Sequence, residues 1–226
     1  MNSLLTSKWT KAFVFALCCV PFAVLLWDAF HNGFAGFPDN MDFGANPIEF
    51  ITHRTGDWTI RFIVITLAIT PLRQLLRQPQ LIRFRRMLGL FAFFYACLHF
   101  ATWIGLDKFF DWSEMWKDVL KRRFITVGFA AFVLLIPLAL TSTAGMIRRL
   151  GGKRWRALHR LIYASAILGV IHYYWLVKSD HRKPLLYAAL MAVLLAWRLA
   201  VWIKDRNKYS PTKFASPDVP TVSETA

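Results

Sequence analysis

Acidic residues are scarce in this chain, 13 Asp and Glu against 28 Lys and Arg in 226 residues, and none lies in the apolar runs 88–106 and 159–177. Cysteine is scarcer still. Cys18, Cys19 and Cys97 form neither a disulfide framework nor a zinc-ligand spacing, and their apolar surroundings make them small packing residues. Glycine-rich phosphate loops are missing: there is no G-x-G-x-x-G and no G-x-x-x-x-G-K-[ST]. No internal repeat is present, and no loop exceeds about 30 residues, so a nucleotide-binding βαβ unit has no room. If the chain does redox chemistry, its electron donor and its final acceptor centre must lie on other molecules.

What is present is apolar. Hydrophobic residues make up 56% of the chain, aromatic residues 16% and charged residues only 18%, a composition suited to a bilayer. A helix rising 1.5 Å per residue needs about 20 apolar residues to cross roughly 30 Å of hydrocarbon. Six such segments are expected near 12–30, 58–73, 88–106, 124–141, 159–177 and 184–203. The expected fold is therefore an all-α integral membrane protein, a six-helix bundle over residues 12–204, since short loops make neighbouring helices antiparallel. Residues 1–11 form a short N-terminus. Lys8 and Lys11 before the first apolar run resemble a signal peptide, but no small-residue cleavage site follows, and the run reads as an uncleaved span. Residues 205–226, with Pro211, Pro217 and Pro220 among Ser and Thr, read as a largely disordered tail.

Charge orients this bundle. The side with both termini and the 74–87 and 142–158 loops, together with adjoining helix ends, has 18 Lys and Arg against 3 acids; the other has 10 of each. The positive-inside rule places the basic side, and both termini, in the cytoplasm. These cations flank spans, which suits membrane lipid and argues against a nucleic-acid partner despite a pI near 10.2. The outer segments 31–57 and 107–123 interleave Phe34, Phe37, Phe43, Phe109, Phe110, Trp112 and Trp116 with Asp39, Asp42, Asp111, Glu114 and Asp118. That mixture suits interfacial anchoring or a transient contact with a soluble partner.

An ionisable residue inside a span is costly and marks a functional hypothesis. His31, His53 and His181 fall in expected outer loops, whereas His99, His159 and His172 fall in or at the edge of spans. The third and fifth spans run in the same direction. His99 and His172 lie 12 and 13 residues from the basic edge, at a matched depth of roughly 18–20 Å. Two imidazoles at one depth on parallel helices can supply both axial ligands of a haem iron. With no acid in either span, a proton relay fits less well. His159 has Arg86 at the corresponding depth on the third span, where a second imidazole would be needed. Arg85, Arg86, Arg148, Arg149 and Arg156 surround that edge, and could border a flavin, quinone or second-haem site, or lipid headgroups. On an ideal helix His159 and His172 would be about 140° apart, so they share a face only if the helix bends, with Gly169 a place for the bend.

The runs Arg85-Arg86-Met87-Leu88-Gly89, Tyr95 to His99, Trp155 to Tyr163 and Ile171-His172-Tyr173 resemble the MsrQ, or YedZ, family. The likeness extends over nearly all of the chain. Its most specific part is the three-histidine pattern with Leu-His-Arg-Leu-Ile-Tyr around His159. The resemblance implies haem b on His99, His159 and His172, FMN in at least some members, and the bacterial inner membrane as location. It also implies electron delivery to a periplasmic molybdenum-containing methionine-sulfoxide reductase, from quinol or a cytoplasmic flavin reductase. Kinship with ferric reductases and NADPH oxidases, whose two helices usually carry two histidines each, is implied as well, with Arg86 a departure. The expected function is an electron-transfer subunit without a sulfoxide-reducing centre of its own. A self-sufficient ferric or quinone reductase is the nearest rival, and a transporter or scaffold the more distant one.

Overall fold

The structure is a computed structural model that describes residues 6–30 and 46–208. Among the described residues every regular element is helical: α1 (Lys8–Asp28), α2 (Pro47–Leu75), α3 (Ile82–Thr102), α4 (Trp112–Lys121), α5 (Arg123–Leu140), α6 (Ala144–Leu150), α7 (Gly152–Leu158), α8 (Leu161–Leu176) and α9 (Arg182–Lys208). Among the described residues four helical segments are long and apolar enough to cross a membrane: Lys8–Asp28, Pro79–Asp107, Arg123–Leu140 and Arg182–Arg206. α2 is longer but carries charges in its first half, and α8 spans only 16 residues.

Local chemistry sets the starts. Ser7 caps α1 by accepting from the Trp9 amide at 3.1 Å. Asn46 does the same for α2, accepting from the Glu49 amide at 3.2 Å, with Pro47 as the first helical residue. α2 therefore begins well before residue 58, and His53, expected in a loop, lies on its exposed side. His181 packs its ring on Tyr174 with centroids 4.8 Å apart. His31, Phe34, Phe37, Phe43, Asp39 and Asp42 lie outside the described residues, as does the tail from 209 onward.

Two helix pairs make the centre, α2 against α3 and α5 against α8, with α9 laid across α2 and α8 and α1 against α3. Aromatic rings fill the first pair: Phe62 stacks on Tyr95 at 5.1 Å and on Phe91 at 5.8 Å. In the second pair the buried Ser165 hydroxyl donates to the Ala131 carbonyl at 2.9 Å. Phe132 of α5 stacks on Phe100 of α3 at 4.6 Å and joins the pairs. The outward side chains Leu185, Leu186, Val193 and Leu199 of α9 are exposed, as lipid-facing residues are.

Pro21 interrupts α1, since it has no N–H and its ring crowds the preceding turn. Tyr95 repairs the gap from α3: its hydroxyl accepts from the Phe22 amide at 3.1 Å and donates to the Cys18 carbonyl at 2.9 Å. A side chain is thereby inserted into the hydrogen-bond ladder of another helix, and its ring is 1% exposed. We expect Tyr95→Phe to cost about 1–3 kcal/mol by leaving these buried groups poorly paired. It should lower the thermal unfolding temperature of the solubilised protein, whereas Phe94→Leu on the adjacent, more exposed position should change it little.

Candidate functional site

The centre of the site is a device that occurs twice. His99 of α3 places Nδ1 2.9 Å from the Thr52 carbonyl of α2. His172 of α8 places Nδ1 2.7 Å from the Phe124 carbonyl of α5. A carbonyl accepts only, so each imidazole donates from Nδ1 and keeps its lone pair on Nε2, for which the described residues offer no hydrogen bond. In both cases a glycine stands four residues after the accepting carbonyl. A Cβ on Gly56 would lie 3.1 Å from His99 Cε1, and one on Gly128 only 2.5 Å from His172 Nδ1. Each glycine removes the side chain that would otherwise occupy the space of the ring. Sequence reasoning passed over both, although a glycine inside an apolar helix costs about 1 kcal/mol relative to alanine and so signals a close approach.

The two rings come together between the helix pairs, centroids 6.0 Å apart and planes at 74°. Imidazole nitrogens sit about 2 Å from a first-row metal. With each nitrogen roughly 1 Å from its ring centre, two imidazoles on opposite sides of one iron would have centroids about 6 Å apart. The rings line a cavity of about 650 Å³, within the range of cofactor sites. One end of its lining is apolar, with Ile63, Ala96, Phe132 and Leu135; the other brings in Glu49, His53, Asp57, Asp107, Arg122 and Lys183. The ligand chemistry, the glycine clearances and the graded lining all fit a haem, an apolar macrocycle with two carboxylates on one edge.

Trp103, Leu106, Asp107, Phe109 and Arg122 join the lining, and between them run a π-helical turn at Trp103–Asp107 and α4. Phe109 and Phe110 both take positive φ, 45° and 62°, which costs bulky L-residues energy. Lys108 holds them there: its side chain, 6% exposed, pairs with Glu114 and Asp118, each at 2.8 Å. Burial disfavours the Lys108 ammonium, but those carboxylates outweigh it and hold the group above its usual 10.5. Its contribution to stability is thus complete below 10.5 and lost only as pH climbs through the higher folded value. Phe109, which lines the cavity, and Phe110, Trp112 and Trp116 are all left exposed.

His159 stands apart from the pair. It lies between α7 and α8, so the bend in this region falls at His159–Arg160 and not at Gly169, whose Cβ position opens on free space. The expected single helix over 159–177 is thereby shortened to α8, because the amides of Arg160 and Tyr163 turn to carbonyls three residues back. His159 Nε2 is 3.1 Å from Thr141 Oγ1, whose own proton goes to the Pro137 carbonyl at 2.6 Å. His159 therefore donates from Nε2, the opposite tautomer to His99 and His172, and it stacks on Trp155 at 3.9 Å. Arg85 is half-buried, whereas Arg86, Arg148, Arg149 and Arg156 are exposed.

Comparison with known proteins agrees with this architecture. Residues 55–170 match the family described as ferric reductase like transmembrane component. The chain is 56% identical over 200 residues to a protein of Herminiimonas arsenicoxydans, covering 88% of each. A Rhodospirillum rubrum relative is 51% identical over 194 residues, 86% of this chain and 89% of its own length. A third, from Caulobacter vibrioides, is 47% identical over 198 residues, 88% and 90% of the two chains. All three are named protein-methionine-sulfoxide reductase heme-binding subunit MsrQ. With half of its length in a ferric-reductase-like membrane domain and nearly all of it aligned to these relatives, the chain belongs to the MsrQ family of multi-pass membrane proteins.

Proposed function

We propose that this protein is a haem b-containing, six-span electron-transfer subunit of the bacterial inner membrane, its termini cytoplasmic. It carries electrons from quinol or a cytoplasmic flavin reductase to a periplasmic, molybdenum-containing methionine-sulfoxide reductase. The observation that carries the reading is the pair of imidazoles 6.0 Å apart, each with Nδ1 committed to a backbone carbonyl. The relatives' names support both the haem and the reductase partner. FMN, at the arginine-rich end, rests on family resemblance alone.

A haem held by His99 and His172 would supply a one-electron carrier. The chain's own residues do the rest. His99 and His172 present Nε2 and are held in orientation and tautomer by Thr52 and Phe124, the outer partners that fix a ligating histidine. Gly56 and Gly128 keep the rings close to their helices. Ile63, Ala96, Phe132 and Leu135 exclude water from the deep end of the cavity. At the shallow end the strained Phe109–Phe110 turn and α4 offer aromatic and acidic groups to a docking protein.

Three measurements test this. His99→Ala or His172→Ala should each remove most of the low-spin haem spectrum, and full retention in both would exclude the pair as ligands. Gly128→Ala should displace the His172 ring and reduce haem content several-fold, more than Gly56→Ala, because its Cβ intrudes further. A second haem would need His159 to exchange Thr141 for iron, so a ratio of two haems per chain that falls to one in His159→Ala would establish it.

For the partner, mixing reduced protein with the periplasmic reductase should reoxidise the haem at a salt-dependent rate, slowed by Asp111→Asn with Glu114→Gln. Equal reoxidation by ferric chelates, unaffected by these changes, would favour a self-sufficient reductase.

A further inference from the structure

α4 has 10 residues, a rise of about 15 Å against roughly 30 Å of hydrocarbon, and is too short to cross a bilayer. It is nevertheless tied at both ends to segments long enough to do so. Residues 108–111 separate it from Pro79–Asp107, and Arg122 alone separates it from Arg123–Leu140. In a multi-pass membrane protein a helix so tethered is held at the level where those segments leave the hydrocarbon. Two contacts keep it from projecting further. Lys108 folds the link back along the helix by pairing with Glu114 and Asp118, and Thr126 of α5 donates to the Val119 carbonyl.

Around its axis α4 presents three kinds of surface. Met115 and Asp118 are buried and Val119 is half-buried, on the side turned to the rest of the protein. Next to them, Trp112, Trp116 and Leu120 fall within about 80° of one another on a helix turning 100° per residue. Each of these three is between 61% and 67% exposed. Ser113, Lys117 and Lys121 follow, all exposed, and Glu114 lies on the far side from Trp116. The apolar row itself carries no charge, because the acids are drawn to Lys108.

A helix with protein on one side, an apolar row on the next and lysines beyond it matches the boundary between a membrane protein, lipid and water. Tryptophan favours that depth, since its ring is apolar and its N–H is not. Lysine stems can lie along the apolar surface while the ammonium groups meet headgroup phosphates. We propose that α4 lies in the water–lipid interface as an anchor, with Trp112, Trp116 and Leu120 sunk among the glycerol and upper acyl groups of the bilayer. The edge left to the aqueous side is then the acidic one, with Asp111 and Glu114. The inference rests on the membrane architecture and draws on none of the haem ligands. The four-residue spacing of Trp112, Trp116 and Leu120 is visible in the sequence, but which side of the helix the protein covers is not.

The test uses the full haem-loaded chain in phosphatidylcholine nanodiscs, with Cys18, Cys19 and Cys97 replaced by alanine and haem content measured for every variant. Spin labels are attached at Trp112→Cys, Trp116→Cys and Leu120→Cys, and for comparison at Ser113→Cys, Lys117→Cys and Lys121→Cys. Relaxation by oxygen, which concentrates in lipid, is compared with relaxation by a nickel chelate, which stays in water. The oxygen-to-chelate ratio should be several-fold higher along the row than along the lysine edge.

Equal ratios on the two sides would overturn the proposal. So would a row that is open to the chelate in the discs and shielded only when the periplasmic reductase is added, because a protein is then the occupant. Should the cysteine-free background lose haem, the unaltered chain gives the answer. Phosphatidylcholine with a diazirine near the glycerol end of its acyl chain, photolysed in the same discs, should leave adducts on Trp112, Trp116 or Leu120 and none on Ser113, Lys117 or Lys121. Adducts on the exposed Leu185 or Leu186 of α9 without any on the row would equally overturn it.

Discussion

The hydrogen bond from an imidazole Nδ1 to a helical carbonyl, made possible by a glycine four residues later, is the constraint around which this structure is arranged. It fixes the tautomer, because a carbonyl cannot donate, and it fixes the ring, because the missing Cβ is what admits it. The two copies lie in separate helix pairs, Thr52 and Gly56 facing His99 across α2 and α3, Phe124 and Gly128 facing His172 across α5 and α8. The contacts between the pairs bring these settings together. His159 shows by contrast what the device does, since it keeps its proton on Nε2 and spends it on a threonine hydroxyl.

The rest of the bundle holds that arrangement against two local defects. Pro21 breaks the ladder of α1, and Tyr95 repairs it from α3, one turn before His99. At the other end of α3 the helix widens into a π turn and then into two left-handed phenylalanines, held by a buried lysine between two carboxylates. α3 is thus fastened on both sides of the ring it carries.

Much of this was legible in the sequence, for reasons that can be named. Apolar segments mark helices irrespective of their neighbours, so a helix lies in each of the six expected segments, and among the described residues four helical segments are long and apolar enough to cross a membrane. The depth of His99 and His172 followed from counting along parallel helices. What could not be read depends on partners distant in sequence: that Thr52 and Phe124 would offer carbonyls, and that Gly56 and Gly128 were clearances. The start of α2 at Pro47 was missed because Glu49, His53, Arg54 and Asp57 gave that stretch the polarity of a loop. The break at His159–Arg160 carries no proline or glycine to announce it.

Because the facing histidines belong to different helix pairs, each pair can complete its own contacts before the other is in place. Among the described residues, rings such as Phe100 and Phe132 are what hold the pairs against one another near the site. Any group ligated by both imidazoles would act as a cross-link between two half-assemblies inserted at different times during translation.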